Sequence, residues 1–87
     1  DENDFGNNKS KLQEMVQARF KMPPRYRIID TEGPDHDRIY DVEVSISGLV
    51  FGRGRGPSKK IAEQEAAGNA LEELEQGPAV LTEENDD

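Results

Sequence analysis

"RIYDVEVSISG", residues 38–48, is the stretch that decides how the rest of this chain can fold. Tyr40, Val42, Val44 and Ile46 alternate with Asp41, Glu43 and Ser45. A period of two puts the first set on one face of an extended strand and the second on the other. This is the pattern of an antiparallel sheet with one face packed and the other wet. Upstream, "RYRIIDT" (residues 25–31) reads as a shorter strand, and "EGPDHD" (residues 32–37) supplies turn residues between the two. Downstream, Gly48 opens a tight turn into "LVFGRG" (residues 49–54), a third strand. Connections this short predict antiparallel neighbours, because parallel pairing needs a crossover of roughly a dozen residues or more.

Helical periodicity appears on both sides of the strands. In "NNKSKLQEMVQARFK" (residues 7–21), Leu12, Val16 and Phe20 recur every fourth residue, with Met15 widening the stripe. Asn7 or Ser10 can cap this helix, and Ser10 with Gln13 also fits a capping box. Met22-Pro23-Pro24 ends it, since proline disfavours helical geometry in the residue before it. A second helix is predicted from Ser58 to Gln76, stopped by Gly77-Pro78. Ala62, Ala66, Ala70 and Leu74 lie four apart in it, beside Ala67 and Leu71, and the small side chains permit close approach to a sheet. The predicted fold class is α+β: α-β-β-β-α, two helices packed on one face of a three-stranded antiparallel sheet. Phe20, Tyr26, Tyr40, Val42, Val44, Ala62, Ala66 and Leu71 are the expected core.

The net charge of -8 over 87 residues conceals a division along the chain. Asp1, Glu2 and Asp4 open it, and Glu83, Glu84, Asp86 and Asp87 close it; without these acids the remainder carries only -1. The expected organisation is an acidic flexible segment at 1–6, one domain at 7–76 and an acidic disordered tail at 77–87. A nearly neutral domain can still present a basic face. Arg53, Arg55, Lys59 and Lys60 gather in one stretch, and Glu72, Glu73 and Glu75 follow later. Lys59 and Lys60 occupy the first turn after the N-cap residue Ser58, where the helix dipole favours Asp or Glu. Cations there call for an anionic partner.

Catalytic readings fail on residue types. His36 is the sole histidine and there is no cysteine, which removes a nucleophile–base pair and a zinc cluster. "GRGRGPSKK" lacks the P-loop spacing, because proline and serine precede the lysines. A dinucleotide fingerprint needs a parallel βαβ unit, which this strand order does not provide. The carboxylates are scattered or terminal. No apolar run reaches membrane-spanning length and no signal-peptide pattern is present, so no membrane partner and a cytoplasmic location are expected. No metal site and no cofactor are expected in the chain.

Taken in order, "KSKLQEMVQARF", "PPRYRII", "EGPDH", "YDVEVSISG" and "GRGRGPSKKIAEQEAAGNALEEL" resemble successive blocks of a double-stranded RNA-binding domain. The version most resembled is the C-terminal domain of bacterial ribonuclease III. The likeness covers about residues 7 to 75, with the blocks in register. It implies the same α-β-β-β-α fold, and it implies a target for each polar patch. The first helix would enter an RNA minor groove with Ser10, Gln13 and Glu14, and Gln17 as a secondary candidate. A-form RNA displays 2′-hydroxyls there, which Gln can meet as donor or acceptor and Glu as acceptor. The loop between the first two strands would reach a second minor groove through Pro34 and His36, with Gly33 and Asp35 as secondary candidates. Asp35 and Asp37 would repel phosphates, so this loop must avoid the backbone. Ser58, Lys59 and Lys60 would face phosphates across the intervening major groove, too narrow for base readout. Arg53 and Arg55 are secondary candidates whose simpler role is edge-strand solubility.

One residue departs from the common pattern. Many relatives carry a third lysine where this chain has Glu63, one turn beyond Lys59; a glutamate there is also ribonuclease III-like and is expected to weaken phosphate binding. The resemblance implies binding of duplex RNA by A-form shape, as the substrate-binding module of a ribonuclease III-type endoribonuclease that processes structured RNA. Magnesium belongs only to the nuclease domain of such a parent, which is absent from these residues; a parent homodimeric through that domain is the arrangement the resemblance allows. The competing readings are a protein-interaction module of the same fold with weak or no RNA binding, and the RNA-binding domain of a non-nuclease processing factor.

Overall fold

A computed structural model describes the backbone of residues 7–86 and the side chains of residues 7–76. Its elements run α1 (Asn8–Phe20), β1 (Arg25–Glu32), a short 3-10 turn (Asp35–Asp37), β2 (Ile39–Ile46), β3 (Leu49–Gly56) and α2 (Lys59–Asp86). The sheet has the order β1-β2-β3 and both pairs are antiparallel. The expected α+β architecture is the one observed. The opening acidic segment, 1–6, lies outside the described residues.

Local chemistry accounts for the boundaries. Ile46 pairs with Leu49, leaving Ser47 and Gly48 as a two-residue hairpin loop with φ of 55° and 87°. Positive φ at both positions gives the turn a twist that matches the flanking strands. At the end of α1, Lys21 takes the left-handed conformation (φ 61°) and returns its N–H to the Gln17 carbonyl at 3.1 Å. Met22-Pro23-Pro24 follows and prevents the helix from resuming.

The core lies between the sheet and the helices. Leu12 and Val16 of α1, Val42, Val44 and Ile46 of β2, and Ala62, Ala66, Ala67, Ala70 and Leu74 of α2 are buried, with Met15, Phe20, Tyr26, Tyr40, Phe51 and Leu71 packed around them. α2 lies on β3 and β2, and α1 packs against α2. The "GRGRG" stretch explains why α2 comes so close. β3 extends to Gly56, two residues further than the sequence suggested. Gly52 and Gly54 pair with Val44 and Val42 and face α2. A Cβ at Gly52 would stand 2.5 Å from the Ala66 carbonyl oxygen, and one at Gly54 would collide with that of Ala62. Glycine on the strand and alanine on the helix therefore bring backbone against backbone.

Two expectations are corrected. Glu43 belongs to the supposedly wet face, yet it is 8% exposed. It occupies the central strand between Arg27 and Arg53, and Arg27 Nη2 donates to its carboxylate at 2.9 Å, so its neighbours cover it. The second correction concerns α2, whose backbone passes the expected stop at Gly77-Pro78 and runs to Asp86. The helical backbone continues through 77–86, and Asp87 lies outside the described residues. Proline at 78 removes one backbone hydrogen bond to the carbonyl four residues earlier, but its fixed φ is itself helical.

Candidate nucleic-acid interface

Ser10, Gln13, Glu14 and Gln17 are all exposed on α1, while Leu12 and Val16 are fully buried. The helical period thus delivers four polar side chains to solvent as the apolar pair seats the helix. Asn7 occupies the N-cap position, without a side-chain capping bond, which decides between the two candidates.

The β1–β2 loop is shaped by glycine and proline. Gly33 has φ 89°, and a Cβ there would lie 2.5 Å from the Asp37 carbonyl oxygen. Pro34 is extended, and its carbonyl accepts the Asp37 N–H at 2.9 Å, closing the short turn that carries His36. His36 is exposed. Asp35 is ion-paired with Arg38, so one of the acids flanking His36 is offset by a cation the sequence reading had not connected with it.

At the start of α2, the Ser58 hydroxyl oxygen accepts the Ile61 N–H at 3.1 Å, and the Ser58 carbonyl accepts that of Ala62 at 3.0 Å. Ser58 is therefore the N-cap the sequence indicated. The first turn holds no acid, and Lys59 and Lys60 are exposed and without an ion pair among the described residues. Glu63 does not turn back to Lys59. Its carboxylate instead accepts from Lys9 Nζ of α1 at 2.6 Å. A Glu placed C-terminal to Lys at this spacing is the less favourable helical order, so the contact across helices prevails.

Topology gathers the three patches. Glu32 pairs with Ile39 and Tyr40 with Gly56, so the β1–β2 loop and the connection into α2 leave the same end of the sheet. The Lys9–Glu63 pair joins the N-terminal end of α1 to the turn of α2 that follows Lys59 and Lys60. Arg53 and Arg55 are not brought in. They project from the sheet face opposite the helices, and Arg55 is held by Asp41 at 2.8 Å and Glu32 at 2.6 Å. Those hydrogen bonds, with Glu32 first, raise the Arg55 pKa. Asp30, Glu32 and Asp41 bring oxygen atoms within 4.8 Å of one another. This group already contains the Arg55 guanidinium, which supplies the positive charge.

Residues 8–74 match the family described as double-stranded RNA binding motif. The chain belongs to that family. Ribonuclease 3 of Natranaerobius thermophilus is 49% identical over 70 residues, covering 80% of this chain and 30% of that protein. For Ribonuclease 3 of Streptococcus pneumoniae the figures are 50% over 64 residues, with 74% and 28% covered. The chain thus spans less than a third of these relatives. Among solved structures, Arabidopsis HYL1 superposes with a TM-score of 0.67 at 40% identity, over 77% of this chain and 94% of that one. Dicer from Pichia stipitis gives 0.63 at 31%, over 77% and 32%.

The motif in this chain carries a polar joint that sequence reasoning missed. Lys9 pairs with Glu63, its backbone N–H donates to Gln64 Oε1 at 3.2 Å, and its ammonium lies 4.9 Å from the Tyr26 ring centroid. The Asn8 amide donates to the Gln64 carbonyl at 3.1 Å beside Gly68. Only Gly68, a glycine in an alanine-rich helix, was a visible signal. No helix among the described residues is long and apolar enough to cross a membrane.

Proposed function

We propose that this chain binds duplex RNA by its A-form shape. Ser10, Gln13, Glu14 and Gln17 meet 2′-hydroxyls in one minor groove, and Pro34 and His36, with Gly33 and Asp35, meet the next. Ser58, Lys59 and Lys60 grip the phosphates between them. The observation that carries this reading is the pair Lys59 and Lys60, without an ion pair among the described residues at the N-terminus of α2, while the nearby Glu63 is drawn off by Lys9. Ammonium groups and free helix N–H groups both favour a phosphate at that point.

Likeness to Ribonuclease 3 over the match supports a parent of that kind, in which this domain holds the duplex for a separate nuclease domain. That parent would be a cytoplasmic double-strand-specific endoribonuclease, using magnesium in the nuclease domain and pairing through it.

Titrating the chain with a duplex RNA of about 20 base pairs, longer than the usual footprint, and with DNA of equal length tests the reading. RNA is expected to bind more tightly, and Gln13→Ala and Glu14→Ala should weaken binding to RNA while leaving DNA almost unchanged. Equal affinity of the unaltered chain for RNA and DNA would overturn it.

A further inference from the structure

We propose that Lys9, Glu63, Gln64 and Gly68 form a positioning joint that sets the angle of α1 against the start of α2, and with it the selectivity for A-form duplexes. The inference rests on the function proposed above and adds residues that touch no RNA in it.

α1 packs against α2. Leu12 and Val16 provide apolar burial, which is non-directional and leaves the helix able to roll or slide. Hydrogen bonds depend steeply on angle and distance. Three of them end on adjacent residues of α2: Asn8 Nδ2 to the Gln64 carbonyl, the Lys9 N–H to Gln64 Oε1, and Lys9 Nζ to Glu63. They come from consecutive residues, immediately before Ser10, so they fix the rotation of the face that carries Ser10, Gln13 and Glu14. Gly68 completes the seat: a Cβ there would stand 2.8 Å from Asn8 Nδ2. The Tyr26 ring supports the Lys9 ammonium from the sheet side. On α2, Glu63 lies one turn beyond Lys59, so the joint ties the minor-groove face directly to the phosphate-binding turn.

This assignment reverses the expected sign of a mutation. If Glu63 only repels phosphates, Glu63→Ala tightens binding to RNA and DNA alike. As part of a joint, its loss weakens RNA binding and lowers the RNA:DNA affinity ratio by roughly three- to tenfold, the range expected for one directional contact. Gly68→Ala provides a variant without charge change. It favours the helical backbone and displaces the end of a flexible Asn8 side chain, so folding is retained while the seat is blocked. The exchange Lys9→Glu with Glu63→Lys restores the pair with reversed sign.

Affinities of the unaltered chain and these variants for RNA and DNA duplexes of about 20 base pairs decide the matter, with thermal melting recorded for each. The joint is supported if Glu63→Ala and Gly68→Ala both lower the ratio, the salt slope in Gly68→Ala stays unchanged, and the double exchange recovers the ratio. It is overturned if Glu63→Ala binds more tightly with an unchanged ratio, or if Gly68→Ala keeps the full ratio. An unaltered chain that prefers RNA while the variants behave in this second way removes the joint alone. An unaltered chain with no preference removes the proposed function.

Discussion

Lys59 and Lys60 stand where the helix dipole disfavours them, and nothing among the described residues neutralises them. If each meets a phosphate, Lys59→Ala and Lys60→Ala should each reduce the slope of log affinity against log salt by about 1. A double variant of unchanged affinity would count against the assignment. Tyr26 allows a prediction about stability. Burial, and then the Glu63 carboxylate, push its phenol up to about 12 from 10.0. The folded chain therefore retains a proton that the unfolded chain releases. The associated stability is complete below pH 10 and is lost as the pH rises toward 12. The whole difference is worth about 3 kcal/mol, and solvent screening of a half-buried ring reduces the expected loss to about 1 kcal/mol. Tyr26→Phe should lack this alkaline component in urea unfolding at a series of pH values. Near neutrality it should be equal or up to about 1 kcal/mol more stable, because the Tyr26 hydroxyl is buried without a hydrogen-bond partner among the described residues.

At the scale of elements, β3 and α2 form the tightest contact. Gly54→Ala places a Cβ against the Ala62 carbonyl, an atom of helix backbone that cannot rotate aside. The expected cost is about 3 kcal/mol, toward the upper end for overpacking. Gly48→Ala is the comparison: its φ of 87° is strained for alanine, but beyond its two chain neighbours no atom of the described residues lies within 4 Å of the added Cβ. It should cost about 1 kcal/mol, from the backbone alone. Urea midpoints of the two variants, measured together, test this ordering. The strands and α1 were legible in sequence because periods of two and of nearly four are local properties. The inward face of "GRGRG" was not read, since only pairing with Val42 and Val44 reveals that glycines, not arginines, point to the helix. Glu43 illustrates the same limit, because its burial depends on Arg27 and Arg53 from two other strands.

For the whole molecule, contacts to two successive minor grooves and the phosphates between them require a minimum duplex length. Affinity for RNA should rise with duplex length up to about 16 base pairs and then level off, after correction for the number of equivalent sites. A plateau reached with a much shorter duplex would mean that the loop carrying His36 and the face carrying Gln13 do not engage together. By itself the sequence determined the element order, the apolar faces, the N-cap at Ser58 and the unbalanced cations after it, since each is set within a few residues. Tertiary structure alone decided which charges are paired among the described residues. Lys9 and Glu63 are 54 residues apart in sequence, and Arg55 meets Glu32 and Asp41 only across the sheet. An ion pair depends on distance in space, so folding left Lys59 and Lys60 without one among the described residues by giving Glu63 to Lys9, and Glu32 and Asp41 to Arg55.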